Sequence, residues 1–114
     1  MRGVKITRAD CVAAYEFLCS LAPIRSWRLP PSCEVEFRVR NWQRFYGEYD
    51  ERGIITISSA KHGHVDTLLR TMAHEMIHQK LHLSGYENWE LHDERFLELS
   101  HAVGIELGFD PKEL

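Results

Sequence analysis

The sequence predicts an α+β fold: an N-terminal helix, a small three-stranded antiparallel sheet, a long helix and a C-terminal helix. Three observations lead there. Apolar residues recur at helical spacing near the N-terminus and again through the second half. Between those stretches lies a run that alternates strictly, followed by a run rich in β-branched residues. Pro and Gly punctuate the segments. A chain of 114 residues has room for one compact domain.

The elements follow in order. Thr7 can cap the first helix, with Asp10 three residues on as a short capping box. Cys11, Ala14, Tyr15, Leu18 and Leu21 then repeat at helical spacing, and Pro23 ends the helix. Pro30 and Pro31 mark a loop. From Ser32 to Val39 the pattern predicts a half-buried strand, with Cys33, Val35, Phe37 and Val39 on one face. Phe45 to Tyr49 reads as a second strand, Asp50-Glu51-Arg52-Gly53 as a hairpin turn and Ile54 to Ser58 as a third strand. Asp66 can cap a long helix from about Thr67 to Leu83, stopped by Gly85. A polar loop spans Tyr86 to Glu90. A last helix starts near Asp93, carries Phe96, Leu97, Leu99, Ala102 and Val103, and is expected to stop at Gly104.

Composition narrows the function classes. Apolar residues make up 44% and charged residues 27%, an ordinary globular balance. The net charge of -3 gives no general attraction to nucleic acid. Arg38, Arg40 and Arg44 form the nearest basic stretch and read as solvated positions. Glu34, Glu36, Glu48, Asp50 and Glu51 read as a solvated acidic face. Cys11, Cys19 and Cys33 include no CxxC pair, which excludes a cysteine zinc ribbon, and their odd number suits a reducing compartment. No run is long and apolar enough for a signal peptide or a membrane span, so a cytoplasmic location is expected.

His74-Glu75-Met76-Ile77-His78 is the one motif with a defined chemistry. Residues four apart share a helical face, so two imidazoles can reach one zinc ion at about 2 Å each. Glu75 follows the first ligand and can take the proton of a water whose pKa the metal lowers toward ~7. Leu68, Leu69, Met72, Met76 and Ile77 surround the motif. Imidazoles in such an apolar setting need partners, and metal ligation supplies one.

A catalytic zinc needs a third protein ligand. His82 continues the series, but it lies about 12 Å along the helix from His74, whereas two ligands of one zinc can stand at most about 4 Å apart. His82 is therefore expected beside the metal rather than on it. His92 returns from the loop at the start of the last helix and is the preferred third ligand; Glu94 and then Glu90 are the alternatives. His62 and His64 read as loop polarity, and His101 as a surface or hydrogen-bonded histidine. Arg95 and Tyr86 are candidate donors to an oxyanion, and Trp42 and Trp89 could mark a partner surface.

The segment Thr71 to His78, followed by His92-Asp93-Glu94-Arg95-Phe96, resembles the SprT-like zinc metallopeptidase family. There an HExxH helix precedes a third histidine that opens the next helix shortly before an aromatic residue. Ile54 to Ser58 also resembles the strand before the zinc helix. The resemblance covers Val35 to Gly108 and implies a single minimal zincin-like domain over residues 1–114. It implies Zn2+ held by His74, His78 and His92, Glu75 as general base, and hydrolysis of peptide bonds in a protein or peptide laid along an edge strand. It also implies association with DNA, which the net charge does not support. Two departures stand out: Asp93 occupies a place where many members have Gly, and residues 1–114 contain no zinc ribbon. Asp93 could orient a ligand or cap the helix. His74 to His82 also resembles the ImmA/IrrE-type metallopeptidases, which act on transcriptional repressors; there a glutamate such as Glu94 would complete the site. Two further classes remain at this stage: a non-catalytic zinc-binding interaction module, and a structural zinc domain with four protein ligands.

Overall fold

The computed structural model describes residues 5–61 and 64–110. It is α+β, with three helices and a three-stranded sheet. Helix α1 spans Arg8–Cys19 and begins with the expected capping box: the Thr7 hydroxyl accepts from the Asp10 N–H, and the Asp10 carboxylate accepts from the Thr7 N–H. Cys11, Ala14, Tyr15 and Leu18 form its buried stripe. The helix ends at Ser20, before Pro23. The buried Tyr15 hydroxyl donates to the Pro30 carbonyl at 2.6 Å and accepts from the Gln79 amide at 3.2 Å. One side chain thus ties α1 to the loop and to a later helix.

The strands depart from the expected pattern at both ends. Ser32–Glu34 forms a short 3-10 turn after the proline pair, so β1 is only Phe37–Arg40. Val35 and Phe37 are buried as the alternation predicts, but Cys33 sits in the turn and is exposed. β2 is Gly47–Tyr49 and β3 is Ile55–Ser58. Phe45 and Tyr46, placed by the sequence in the second strand, are exposed ahead of it.

The sheet is mixed rather than antiparallel, with order β1-β3-β2. β2 pairs antiparallel with β3 through the hairpin, and β1 pairs parallel with β3, Phe37 opposite Ile55. Residues 41–46 carry the chain past the site of β3 before the hairpin returns. The third strand therefore enters between its predecessors, running alongside the first. Strand alternation is blind to this choice, because it reports which face is buried and not which neighbour is paired. All four residues of β3 are buried, as a central strand demands.

Helix α2 spans Val65–Leu83 and packs on α1 and on the sheet. Its cap is His64, in extended conformation and without a side-chain bond; Asp66 lies inside the first turn, where its charge complements the helix dipole. Gly85 takes the positive φ that lets the chain turn away from the helix. Helix α3 spans Glu94–Leu107, capped by the Asp93 carboxylate on the Phe96 N–H. Gly104 does not stop it. That residue is buried inside α3, and the left-handed stop is Gly108, whose N–H reaches the Gly104 carbonyl at 2.9 Å. Among the described residues, no helix is long and apolar enough to cross a membrane.

The hairpin turn matches the expectation, with Gly53 at φ 81°. The Asp50 carboxylate accepts from the Arg52 and Ile54 N–H groups and from the Arg52 guanidinium at 2.8 Å. Burial opposes its ionisation, but the Arg52 side chain and the two backbone donors outweigh this and hold the carboxyl below its ordinary range. A carboxyl whose pKa falls on folding stabilises the fold above its unfolded pKa of about 4, and that contribution fades as pH drops further. Asp50→Ala should therefore lower stability by about 1 kcal/mol at neutral pH. The difference should shrink toward pH 2.5. Urea unfolding of both proteins across that range measures it, and a gap that grows on acidification would contradict the assignment.

Candidate metal centre

Helix α2 brings His74, Glu75 and His78 to the surface facing β2 and α3. The i, i+4 spacing brings the two imidazoles edge to face, with ring centroids 5.0 Å apart and planes at 72°. The loop after α2 then returns His92 beside them. One nitrogen from each of His74, His78 and His92 lies within 4.8 Å of the others. The trio grades from buried His78 to half-buried His74 and exposed His92. Phe96 lies beneath all three, its ring centroid 4.9, 4.7 and 4.6 Å from those of His74, His78 and His92. The ring is fully buried and gives the imidazoles an apolar floor.

The donor chemistry fits a divalent metal. His78 Nδ1 lies 2.8 Å from the Trp89 carbonyl, which can only accept, so Nδ1 carries the proton. Nε2 of the neutral ring then presents a lone pair, the form a metal needs. Burial lowers the His78 pKa and the neighbouring His92 adds to this, against the Trp89 carbonyl and Glu90. Nε2 of His78 and of His92 stand 3.1 Å apart, close to the roughly 3.4 Å between two ligands of a tetrahedral zinc.

Glu75 is buried beside the trio. Burial raises its pKa to about 8; the nearby Glu48 pushes the same way and the Tyr49 N–H opposes both. A cation held by the adjacent histidines would act like that N–H and favour the carboxylate. Glu75 meets the sheet at its outer edge. The Ser58 N–H bonds to Tyr46 and the Asp50 N–H to Ile54, so Tyr46, Glu48 and Asp50 face β3, while Gly47 and Tyr49 turn their backbone groups outward. Gly47 is required by proximity: a Cβ there would lie 2.9 Å from the Thr56 carbonyl, 3.1 Å from Thr71 Cγ2 and 3.3 Å from Glu75 Oε2.

His74 and His92 border a cleft of about 670 Å³, also lined by Gly47, Thr71 and Glu75 and by the cationic Arg44, Lys61 and Arg70. Sequence reasoning passed over Gly47, Lys61, Arg70 and Thr71. Helical spacing could have found two of them, since Arg70 and Thr71 precede His74 and Glu75 by one turn.

The remaining candidates fall outside the trio. His82 is turned from it, with Nδ1 2.7 Å from the Tyr49 hydroxyl and its ring stacked 4.5 Å from Trp89. Burial, reinforced by Asp50, pushes that Tyr49 hydroxyl up to about 12. Glu94 and Glu90 are exposed and are not in the cluster. His64 caps α2 by position, His101 is exposed on α3, and His62 lies outside the described residues. The Tyr86 hydroxyl donates to Asp93 at 2.5 Å and Arg95 lies over the Tyr86 ring. Neither lines the cleft. Asp93 caps α3 as well as holding Tyr86. Trp89 packs on Tyr49 and His82, and Trp42 lines a neighbouring hollow.

No family model, curated protein or solved structure matches this chain.

Two outcomes follow from this geometry. Gly47→Ala should cost about 1–3 kcal/mol in urea unfolding, because two of the three atoms it meets belong to packed neighbours and one is a backbone carbonyl. Elemental analysis of zinc-supplied protein should find one metal per chain, lost in His92→Ala and kept in Glu94→Ala. Loss with Glu94 alone would place the third ligand there instead.

Proposed function

We propose that this chain is a minimal SprT-like zinc metallopeptidase. The carrying observation is the trio of imidazole nitrogens within 4.8 Å of one another, with the buried Glu75 lining the cleft that His74 and His92 also line. His74, His78 and His92 would hold the zinc. When bound, the ion supplies Lewis acidity toward the scissile carbonyl and lowers the pKa of the attacking water.

The chain's own groups supply the rest. Glu75 takes the proton of the attacking water and passes it to the leaving amine. Its buried position keeps bulk water from competing for that proton, and the Tyr49 N–H orients the carboxylate. The Trp89 carbonyl holds His78 in the tautomer that directs Nε2 into the site. Gly47, lacking a side chain, leaves the approach to Glu75 open. The outward amide and carbonyl of Gly47, at the start of β2, give a polypeptide a place to dock in extended form. The exposed Glu94 outside the trio gives the His-His-Glu plan of the ImmA/IrrE type no comparable support.

Glu75→Gln tests the reading. The variant should bind metal as the parent does and lose at least about 100-fold in turnover, the scale of a missing general base. Metal content is read by elemental analysis and turnover on an unstructured protein such as casein. Undiminished cleavage by the variant would remove Glu75 from the chemistry. A zinc-loaded parent that cuts no polypeptide would favour a binding module over a peptidase.

A further inference from the structure

We propose that the cleft selects an extended polypeptide with acidic side chains beside the bond it presents to Glu75. This deepens the peptidase reading and rests on it only for the reaction, not for the binding.

The first argument is charge. The chain as a whole carries -3, yet Arg44, Lys61 and Arg70 line the cleft and Glu75 is the one carboxylate among the described residues lining it. Two cations outside the cleft meet carboxylates, Arg38 pairing with Glu36 and Arg52 with Asp50. Arg44 and Lys61 are held differently. The Arg44 guanidinium lies 5.9 Å from the Phe45 ring centre and the Lys61 ammonium 5.8 Å from that of Tyr46. The rings position these charges without neutralising them. A cleft walled by one sign of charge concentrates partners of the other sign.

The second argument is shape. A second hollow of about 530 Å³, lined by Trp42 and Gln43 among others, shares Arg44, Phe45 and Gly47 with the first. Two hollows meeting at the start of β2 suit successive side chains of one extended strand. The outward amide and carbonyl of Gly47 lie at their junction and complement a peptide backbone, as an open sheet edge does. Nucleic acid would meet the same cations, but it has no backbone amides and carbonyls at strand spacing to pair with the sheet edge.

Fluorescence anisotropy on the 114-residue Glu75→Gln chain tests the proposal without requiring turnover. The probes are short labelled peptides rich in Asp and Glu, their Asn and Gln counterparts, a Lys-rich peptide and a single-stranded oligonucleotide of similar length. The acidic peptide should bind about tenfold or more tighter than its amide counterpart, and added salt should narrow the gap. Introducing Arg44→Ser together with Lys61→Ser, both surface changes, should abolish most of the preference. Equal binding of acidic and amide peptides, a preference that survives the double substitution, or tightest binding of the oligonucleotide would each overturn it. The zinc-loaded parent separates the two readings. An acidic peptide bound but never cut would remove the peptidase and leave the selectivity. Cleavage indifferent to peptide charge would do the reverse.

Discussion

Helix α2 buries polar groups that it cannot satisfy by itself, and much of the molecule is arranged around them. Thr71, Glu75, His78 and Gln79 all lie on a helix whose other buried residues are almost wholly apolar. An unpartnered polar group in such a place costs several kcal/mol at most sites and far more if charged. For three of them the partner comes from a different part of the chain, although Gln79 Oε1 has none among the described residues. Gln79 meets the Tyr15 hydroxyl from α1, Glu75 meets the Tyr49 N–H from β2, and His78 meets the Trp89 carbonyl from the loop beyond α2. The contacts that stabilise the helix are therefore the same ones that orient the site.

The loop after α2 is held by a second set of interactions. Trp89 is wedged between Tyr49 and His82, and the hydrogen bond between those two residues closes the cluster. Tyr86 bonds to Asp93, which also caps α3. Between these anchors the chain has little freedom, and His92 is delivered over Phe96. A third donor on a separate element is what a single straight helix cannot supply, because its rise carries the next turn out of reach. His82 is spent on anchoring the loop instead.

The outer edge of the sheet carries the cleft. β2 is short, and Gly47 lets it approach α2 closely enough to bring Glu75 against its backbone. Exposed Phe45 and Tyr46 stand just before it and support the cationic rim. The mixed topology matters here, since β3 at the centre leaves β2 as an edge. An antiparallel sheet in chain order would have put β2 in the middle and closed off that edge.

Much was legible in the residues alone. Helical periodicity, the Thr7–Asp10 box, the Gly53 turn and the four-residue spacing of His74 and His78 are local signals, and local geometry turns them directly into structure. Boundaries were less legible: Gly104 could have been a stop, but tertiary burial kept the helix going to Gly108. His92 was legible as the preferred third donor, and the helical rise already set His82 aside; strand pairing, the bond of His82 to Tyr49, the approach of Gly47 to Glu75 and the gathering of Arg44, Lys61 and Arg70 belonged to the tertiary structure. These join segments many residues apart. Sequence periodicity says which face of an element is buried, but only packing decides which other face it meets.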